Sequence, residues 1–143
     1  MEVHDEFRQA WLEKKFGTSS RNGYWLGLSD LAVEGKFIWD RSQSWLYDFS
    51  AWASNEPDQS PVENCVAARP NNYMFWSDED CNQETFYPLC QTTIGLLSCG
   101  EDEVYSEVLD LCLYEPLGWA YYQDASAYCA EFGGTLVITQ NFL

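Results

Sequence analysis

The stretch Tyr24-Trp25-Leu26-Gly27-Leu28 decides the fold. An apolar run of this length predicts a short strand. Further along the chain, Lys36-Phe37-Ile38-Trp39-Asp40 predicts a second strand, and the loop formers within residues 50–64 predict an irregular segment. Other strands are predicted near residues 64–68, 73–77, 86–90, 92–98, 111–114 and 135–138. We therefore expect short strands connected by a long loop region.

Two helices are predicted outside these strands. Residues 2–16 carry a face with spacings of three and four, formed by Val3, Phe7, Ala10, Trp11 and Lys14. Residues 121–132 carry another such face, formed by Tyr122, Ala125, Tyr128, Cys129 and Phe132. Two helices together with short strands indicate the α+β class.

The chain is strongly acidic, with 7 Lys and Arg against 23 Asp and Glu and a formal net charge of −16 over 143 residues. Nucleic acids and anionic membranes bind basic surfaces, so the charge argues against both as partners. No apolar run reaches the ~20 residues of a membrane span, so membrane insertion is not expected. Hydrophobic residues make up 46% of the chain, which predicts a folded domain whose crowded carboxylates attract cations.

Six cysteines constrain the chain further: Cys65, Cys81, Cys90, Cys99, Cys112 and Cys129. Their even number favours three disulfides and an oxidising compartment. Zinc is the competing interpretation, but no Cys-x-x-Cys pair is present and His4 is the single histidine. One histidine without a paired nucleophile also gives no catalytic triad, so we do not expect an enzyme. Spacing alone leaves the pairing of the cysteines open.

Several motifs together resemble the C-type lectin-like domain family. Residues 25–90 resemble its C-terminal half through Trp25-Leu26-Gly27-Leu28, Gly35-Lys36-Phe37-Ile38-Trp39, Trp52, Glu56-Pro57-Asp58, Glu63-Asn64-Cys65-Val66, Trp76-Ser77-Asp78-Glu79-Asp80-Cys81 and Tyr87-Pro88-Leu89-Cys90. Residues 99–138 resemble its N-terminal half through Cys99, Cys112, Trp119, Ala125, Cys129 and Gly133-Gly134-Thr135-Leu136-Val137. The resemblance implies a C-type lectin-like fold with two helices, two small antiparallel sheets and a long loop region. It also implies core or near-core positions for Trp25, Trp39, Trp52, Trp76 and Trp119.

The two halves occur in the reverse of the family order. The resemblance thus implies one circularly permuted domain over residues 1–143, with the family's C-terminal half at 1–90, a linker at 91–98 and the N-terminal half at 99–143. The alternative origin is a chain that spans the end of one copy and the start of the next in a tandem array. The halves can close within one chain or exchange between two chains as a domain-swapped dimer. The sequence leaves these alternatives open.

The resemblance selects one disulfide pattern, with the pairs Cys65–Cys81, Cys90–Cys129 and Cys99–Cys112. Of these, Cys90–Cys129 would join the two halves.

The resemblance also implies a calcium site, an ion that takes oxygen ligands. By position, the family's ligands correspond to Glu56, Asp58, Glu63, Ser77 and Asp78. Pro57 matches a proline whose peptide bond is cis in calcium-bound members. The same five residues, with Tyr73 as a ring that stacks on the sugar, form the implied ligand-binding set. One of Tyr73 and Phe75 is also expected in the core. The alternative is an acidic loop that is merely solvated.

Two residues depart from the family's best sugar-binding pattern. Asp58 and Ser77 each replace an asparagine, and a carboxylate cannot donate the hydrogen bonds that a carboxamide donates. In the family, Glu-Pro-Asn accompanies mannose-type sugars and Gln-Pro-Asp accompanies galactose-type sugars. The hybrid triplet Glu56-Pro57-Asp58 therefore leaves the sugar preference open.

A second, weaker metal site is implied at Asp30 and Glu34, with Glu63 shared between the sites. Gln59 and Asn64 stand where the family has further acids. The alternative for Asp30 and Glu34 is an exposed turn.

The expected function is calcium-dependent glycan binding by a secreted, extracellular domain. The sugar would be of mannose type or galactose type. The rival is a domain of the same fold that binds protein, mineral or ice surfaces.

Overall fold

The computed structural model describes residues 5–40, 45–46, 49–93, 104–106, 111–114, 118–131 and 134–136. The helices and strands in these ranges are α1 (Asp5–Phe16), β1 (Tyr24–Ser29), β2 (Ile38–Trp39), β3 (Glu63–Arg69), β4 (Phe75–Asp80), β5 (Tyr87–Pro88), β6 (Cys90–Thr93), β7 (Val104–Ser106), β8 (Leu111–Tyr114), α2 (Tyr122–Glu131) and β9 (Thr135–Leu136). Neither helix is long and apolar enough to cross a bilayer within these ranges.

The strands form two small sheets, which confirms the predicted α+β fold. The first sheet has the order β2-β1-β3-β4, with β5 added along β1, and the second has the order β7-β8-β6-β9. All pairs are antiparallel except β5 with β1, which is parallel. Of the predicted linker 91–98, residues 91–93 belong to β6, and residues 94–98 lie outside the described ranges. Because β6 pairs with β8 and β9, the second sheet joins residues 90–93 to the later segments 111–114 and 135–136.

Strand β1 is buried on both faces. Side chains of a strand alternate between its two faces. Leu26 and Leu28 pack in one core cluster with Leu12 of α1. Trp25 packs in the other cluster with Tyr122 of α2. Each helix thus contributes to the core cluster on one face of β1, and burial on both faces explains why the strand is an uninterrupted apolar run.

Helix α1 buries a different face from the predicted one. Leu12 is fully buried and Gln9 is nearly so, whereas Phe7 is 57% exposed. Gln9 turns inward because it has buried polar partners: its Nε2 donates to the Met74 carbonyl (2.8 Å) and its Oε1 accepts from the Trp76 indole (3.1 Å). Hydrogen bonding to the neighbouring hairpin, which spacing along α1 does not reveal, sets this face.

Helix α2 buries Tyr122, Ala125 and Cys129, as predicted. Tyr128 was expected on the same face, but it is 44% exposed. Phe132 lies outside the described residues.

The tryptophan expectations hold with one exception. Trp25, Trp39 and Trp76 are fully buried, and Trp52 packs against the core while partly buried. The core position expected for Trp119 is wrong, because Trp119 is 67% exposed. Trp119 precedes the first turn of α2, so the inward face of that helix does not carry its ring.

Two of the three predicted disulfides, Cys65–Cys81 and Cys90–Cys129, are confirmed. The third, Cys99–Cys112, involves a cysteine outside the described residues. Cys90–Cys129 links β6 to α2 across 39 residues of sequence. Closing a loop of this length removes unfolded-state entropy worth about 4 kcal/mol.

Two hydrogen bonds reinforce this connection between early and late segments. The Trp25 indole donates to the Ala120 carbonyl (2.7 Å), and the Tyr122 hydroxyl donates to Asp40 Oδ2 (2.7 Å). Burial raises the pKa of Asp40, and the bond from Tyr122 offsets part of that rise. Burial and the neighbouring carboxylate of Asp40 raise the pKa of Tyr122, so the hydroxyl keeps its proton and remains a donor.

Replacing Tyr122 with phenylalanine should destabilise the fold. The change Tyr122→Phe removes a donor from the partly buried Asp40 carboxylate, which costs about 1–3 kcal/mol in the free energy of unfolding. Urea unfolding at pH 7 measures this difference. Tyr128→Phe removes the same atom from an exposed ring and serves as the matched control, with an expected change near zero. Equal stabilities for the two variants would contradict the proposed link.

Candidate functional site

Trp76 in β4 positions the loop that leads into the acidic site. The Trp76 amide donates to the Ala51 carbonyl (2.7 Å), and the Ala53 amide donates to the Trp76 carbonyl (2.8 Å). The Trp52 ring meets the Trp76 ring edge-on at 5.7 Å between centroids. These contacts align the segment with β4, and the residues that follow reach the part of β4 that carries Asp78.

The loop itself is closed by hydrogen bonds to carboxylates. The Asp58 amide donates to Asp78 Oδ1 (3.1 Å), and the Ser60 amide donates to Asp58 Oδ1 (2.9 Å). The peptide bond between Glu56 and Pro57 is cis, as the resemblance implied. Asp78 is only 3% exposed, whereas Asp58 is exposed to solvent. One acid therefore lies beneath the loop and the other at its surface.

Strand pairing brings a third acid to the same place. Glu63 begins β3, and β3 pairs with β4 in a register that sets Val66 opposite Asp78, with a shift near Glu63. As a result, Asp58, Glu63 and Asp78 each offer an oxygen atom, and these three atoms lie within 4.8 Å of one another. No other group of three or more potential metal ligands of this kind occurs among the residues that the structure describes.

This arrangement fits a calcium ion. Calcium–oxygen bonds of ~2.3–2.6 Å place two ligands of one ion no more than about 5 Å apart. The 4.8 Å spread of the three oxygens lies within that limit. Glu56 Oε2 and Asp78 Oδ2 are buried and have no hydrogen-bond donor. Buried acceptors of this kind normally have a partner, and a cation would supply one.

Crowding perturbs the acids of this cluster. The pKa of Glu56 and the pKa of Glu63 are each raised to about 7. Burial is the largest cause for both, followed by a close carboxyl neighbour, which is Asp78 for Glu56 and Asp58 for Glu63. Without a cation, protonation is the remaining way to relieve the repulsion at neutral pH.

Ser77 has partners of a different kind. Its hydroxyl donates to Glu79 Oε1 (2.6 Å) and lies 3.4 Å from the Arg69 Nε donor. Arg69 also forms an ion pair with Glu79. Sequence reasoning missed this pair, because Arg69 and Glu79 lie just beyond the strands predicted at 64–68 and 73–77. The role of Ser77 as a calcium ligand stays a prediction.

The second implied site lies near the first. Burial is the largest cause of the raised pKa of Asp30 and of Glu34, and repulsion from the nearby Asp78 carboxylate adds to the rise in both. The amide of Asn64, oriented with its nitrogen toward these acids, donates to Asp30 Oδ1 and to Glu34 Oε2, both at 3.0 Å. The Gly35 amide donates to Asp30 Oδ2 (2.8 Å). Among the described residues, no third carboxylate joins this pair within metal-binding distance, so a shared role for Glu63 stays a prediction.

Tyr73 lies in the turn between β3 and β4. It is 61% exposed, and its carbonyl accepts a hydrogen bond from Gln9 Nε2 (3.3 Å). Phe75 is 37% exposed, so the expectation that one of these two rings is in the core is wrong. In an extended strand, Asp78 lies about 10 Å beyond Phe75. No contact described for Tyr73 reaches the acidic cluster, and its stacking on a sugar stays a prediction.

Comparison with known families places this geometry in context. The model of the family described as the lectin C-type domain matches residues 1–92. The chain belongs to the C-type lectin domain family. The matched residues contain all the acids discussed above. They correspond to the part of the chain predicted to form the family's C-terminal half.

Curated relatives agree with this membership. The chain is 40% identical over 92 residues to the C-type lectin mosGCTL-7 of Aedes aegypti, covering 62% of this chain and 60% of that protein. It is 32% identical over 95 residues to the lectin BRA-3 of Megabalanus rosa, covering 64% and 57%. It is 33% identical over 76 residues to the alpha-N-acetylgalactosamine-specific lectin of Patiria pectinifera, covering 52% and 44%. The matches thus span between 44% and 60% of the length of these relatives.

The raised pKa of Glu63 predicts a pH-dependent stability in the absence of divalent cations. A carboxyl group whose pKa is higher in the folded state stabilises the fold at low pH, and this contribution is lost as the pH rises from about 4.5 to about 7. Glu63→Gln should therefore raise the free energy of unfolding more at pH 8 than at pH 5. Urea unfolding in a chelator measures both differences. Glu6→Gln, at an exposed position on α1, is the control, and an effect of Glu63→Gln that does not change with pH contradicts the prediction.

Proposed function

We propose that this chain binds carbohydrate through a calcium ion held by Asp58, Glu63 and Asp78, with Glu56 as a further ligand. The convergence of three carboxylate oxygens within 4.8 Å carries the proposal. The buried oxygens of Glu56 and Asp78 that lack donors support it, as does membership of the C-type lectin domain family. Calcium would contribute two positive charges to a group of four acids.

The burial of Asp78 and the greater exposure of Asp58 and Glu63 give these acids different parts in the proposed mechanism. When bound, calcium supplies open coordination positions for two neighbouring sugar hydroxyls. Asp78, which is almost inaccessible to solvent, anchors the ion from the side of the sheet. Asp58 is exposed and Glu63 partly so, and their remaining lone pairs accept hydrogen bonds from the same hydroxyls.

The sugar is proposed to be of mannose type or galactose type. Asp58 only accepts hydrogen bonds, so it favours a sugar whose hydroxyl groups act as donors at this position. The name of the starfish relative gives alpha-N-acetylgalactosamine as that protein's specificity. Both sugar classes therefore belong in the first binding assay.

The setting we propose is extracellular, because the disulfides Cys65–Cys81 and Cys90–Cys129 persist in oxidising compartments.

We also propose that residues 1–90 and 99–143 form one domain in permuted order. Cys90–Cys129 and the bond from Trp25 to Ala120 support closure within a single chain. A solution mass equal to one chain would agree with closure, and twice that mass would indicate a domain-swapped dimer. A single lectin site binds weakly, so several linked copies would raise the avidity.

Calcium should raise the melting temperature of the chain, and this effect should depend on Asp78. The variant Asp78→Asn keeps the oxygen that accepts from the Asp58 amide but removes a charge, so calcium affinity should fall roughly tenfold or more. Calorimetric calcium titration measures the affinity. Asp124→Asn makes the same change on α2 and should leave the affinity unchanged. An unchanged affinity in Asp78→Asn would place the ion elsewhere.

Glycan binding should require the same ion. On an array that includes mannose-type and galactose-type sugars, binding should appear with calcium and disappear with a chelator. Binding that survives the chelator would contradict the calcium mechanism. A calcium-dependent melting temperature without any bound glycan would favour the rival domain that binds protein, mineral or ice surfaces.

A further inference from the structure

A cleft of about 610 Å³ lies beside α2, away from the residues proposed to bind calcium. Six side chains that line it carry aromatic rings, carboxylates or a hydroxyl: Thr85, Trp119, Tyr121, Asp124, Tyr128 and Glu131. The calcium site gives these residues no role, and Trp119 does not occupy the core position that the family resemblance implied.

Helix geometry builds one wall of the cleft. Tyr121 immediately precedes α2, and Asp124, Tyr128 and Glu131 follow at spacings of three, four and three, which places all four on one face. This face lies about 100° around the helix from the one that buries Cys129 and its neighbours in the core, because successive helix residues are about 100° apart. Rings and carboxylates therefore alternate along the solvent side of the helix.

The aromatic rings are unusually accessible. Trp119 is 67% exposed, Tyr121 is 45% exposed and Tyr128 is 44% exposed. The Trp119 ring makes an edge-on contact with Tyr87 at 6.1 Å between centroids. Single exposed aromatic rings are common on protein surfaces, but several that line one cleft are typical of an interaction site.

The charge of the cleft indicates the kind of ligand. Among the described residues, its lining contains two carboxylates, Asp124 and Glu131, and no Lys, Arg or His. Cations stack on aromatic rings elsewhere in this fold. Lys36 Nζ lies 3.6 Å from the centroid of the Trp45 ring, and the Arg69 guanidinium lies 4.3 Å from the centroid of the Phe86 ring. A cation that enters the cleft would meet both a ring face and a carboxylate.

We propose that this cleft binds a cationic side chain, arginine in preference to lysine, presented by a basic segment of a protein partner. Arginine is favoured because its planar guanidinium can stack on the Trp119 ring while its N–H groups donate to Asp124 or Glu131. The net charge of −16 would attract a basic partner over a longer range and speed the encounter. The proposal is independent of calcium and of the glycan.

The test titrates the protein with a capped peptide of five residues, two of them arginine and the others glycine. The titration is carried out at low salt in the presence of a chelator. A second peptide carries citrulline, which keeps the shape of arginine without its charge. Binding of the arginine peptide should weaken roughly fivefold in Trp119→Ala, the loss of about 1 kcal/mol of cation–π attraction. The double variant Asp124→Asn with Glu131→Gln should weaken it by a similar factor or more.

A charge-matched control separates this site from the general attraction of an acidic protein for cations. The double variant Glu6→Gln with Glu13→Gln makes the same charge change on α1 and should leave the affinity within twofold of the original. Equal weakening in this control, equal binding of the citrulline peptide, or no effect of Trp119→Ala would each overturn the proposal. A glycan that binds in chelator and is lost in Trp119→Ala would also overturn it, by assigning the cleft to sugar. Urea unfolding confirms that every variant remains folded.

Discussion

Burial of β1 on both faces is the constraint on which the rest of the structure depends. A strand without a solvent-exposed face needs a covering layer on each side. Here α1 contributes Leu12 to the core cluster on one face and α2 contributes Tyr122 to the cluster on the other, so the beginning and the end of the described chain both help to bury one strand. Cys90–Cys129 and the bond from Trp25 to Ala120 hold the later segment in place.

The same sheet creates the electrostatic problem at the candidate site. Trp76 fixes the loop against β4, and β3 lies alongside, so acids from three separate segments meet at one place, where Asp78 is buried and Asp58 is exposed. In such a place repulsion between carboxylates is strong, and both a proton and a cation relieve it. Burial and this repulsion raise the pKa of Glu56 and of Glu63, so both acids hold their protons more tightly.

Local patterns in the sequence predicted much of this, and the misses have physical causes. Apolar runs located β1, and the resemblance to the C-type lectin-like family located the acids that meet at the site. Spacing on α1 failed because Gln9 finds buried hydrogen-bond partners in a hairpin more than 60 residues away. The Arg69–Glu79 pair and the exposure of Trp119 likewise depend on contacts between segments, which no local pattern records.

The central claim is that Asp58, Glu63 and Asp78 surround one calcium ion, and a crystal structure grown with calcium tests it most directly. The account predicts an anomalous difference peak within ~2.3–2.6 Å of an oxygen from each of the three residues. A peak at other residues with none at this cluster, or well-ordered carboxylates with no peak in saturating calcium, would contradict it.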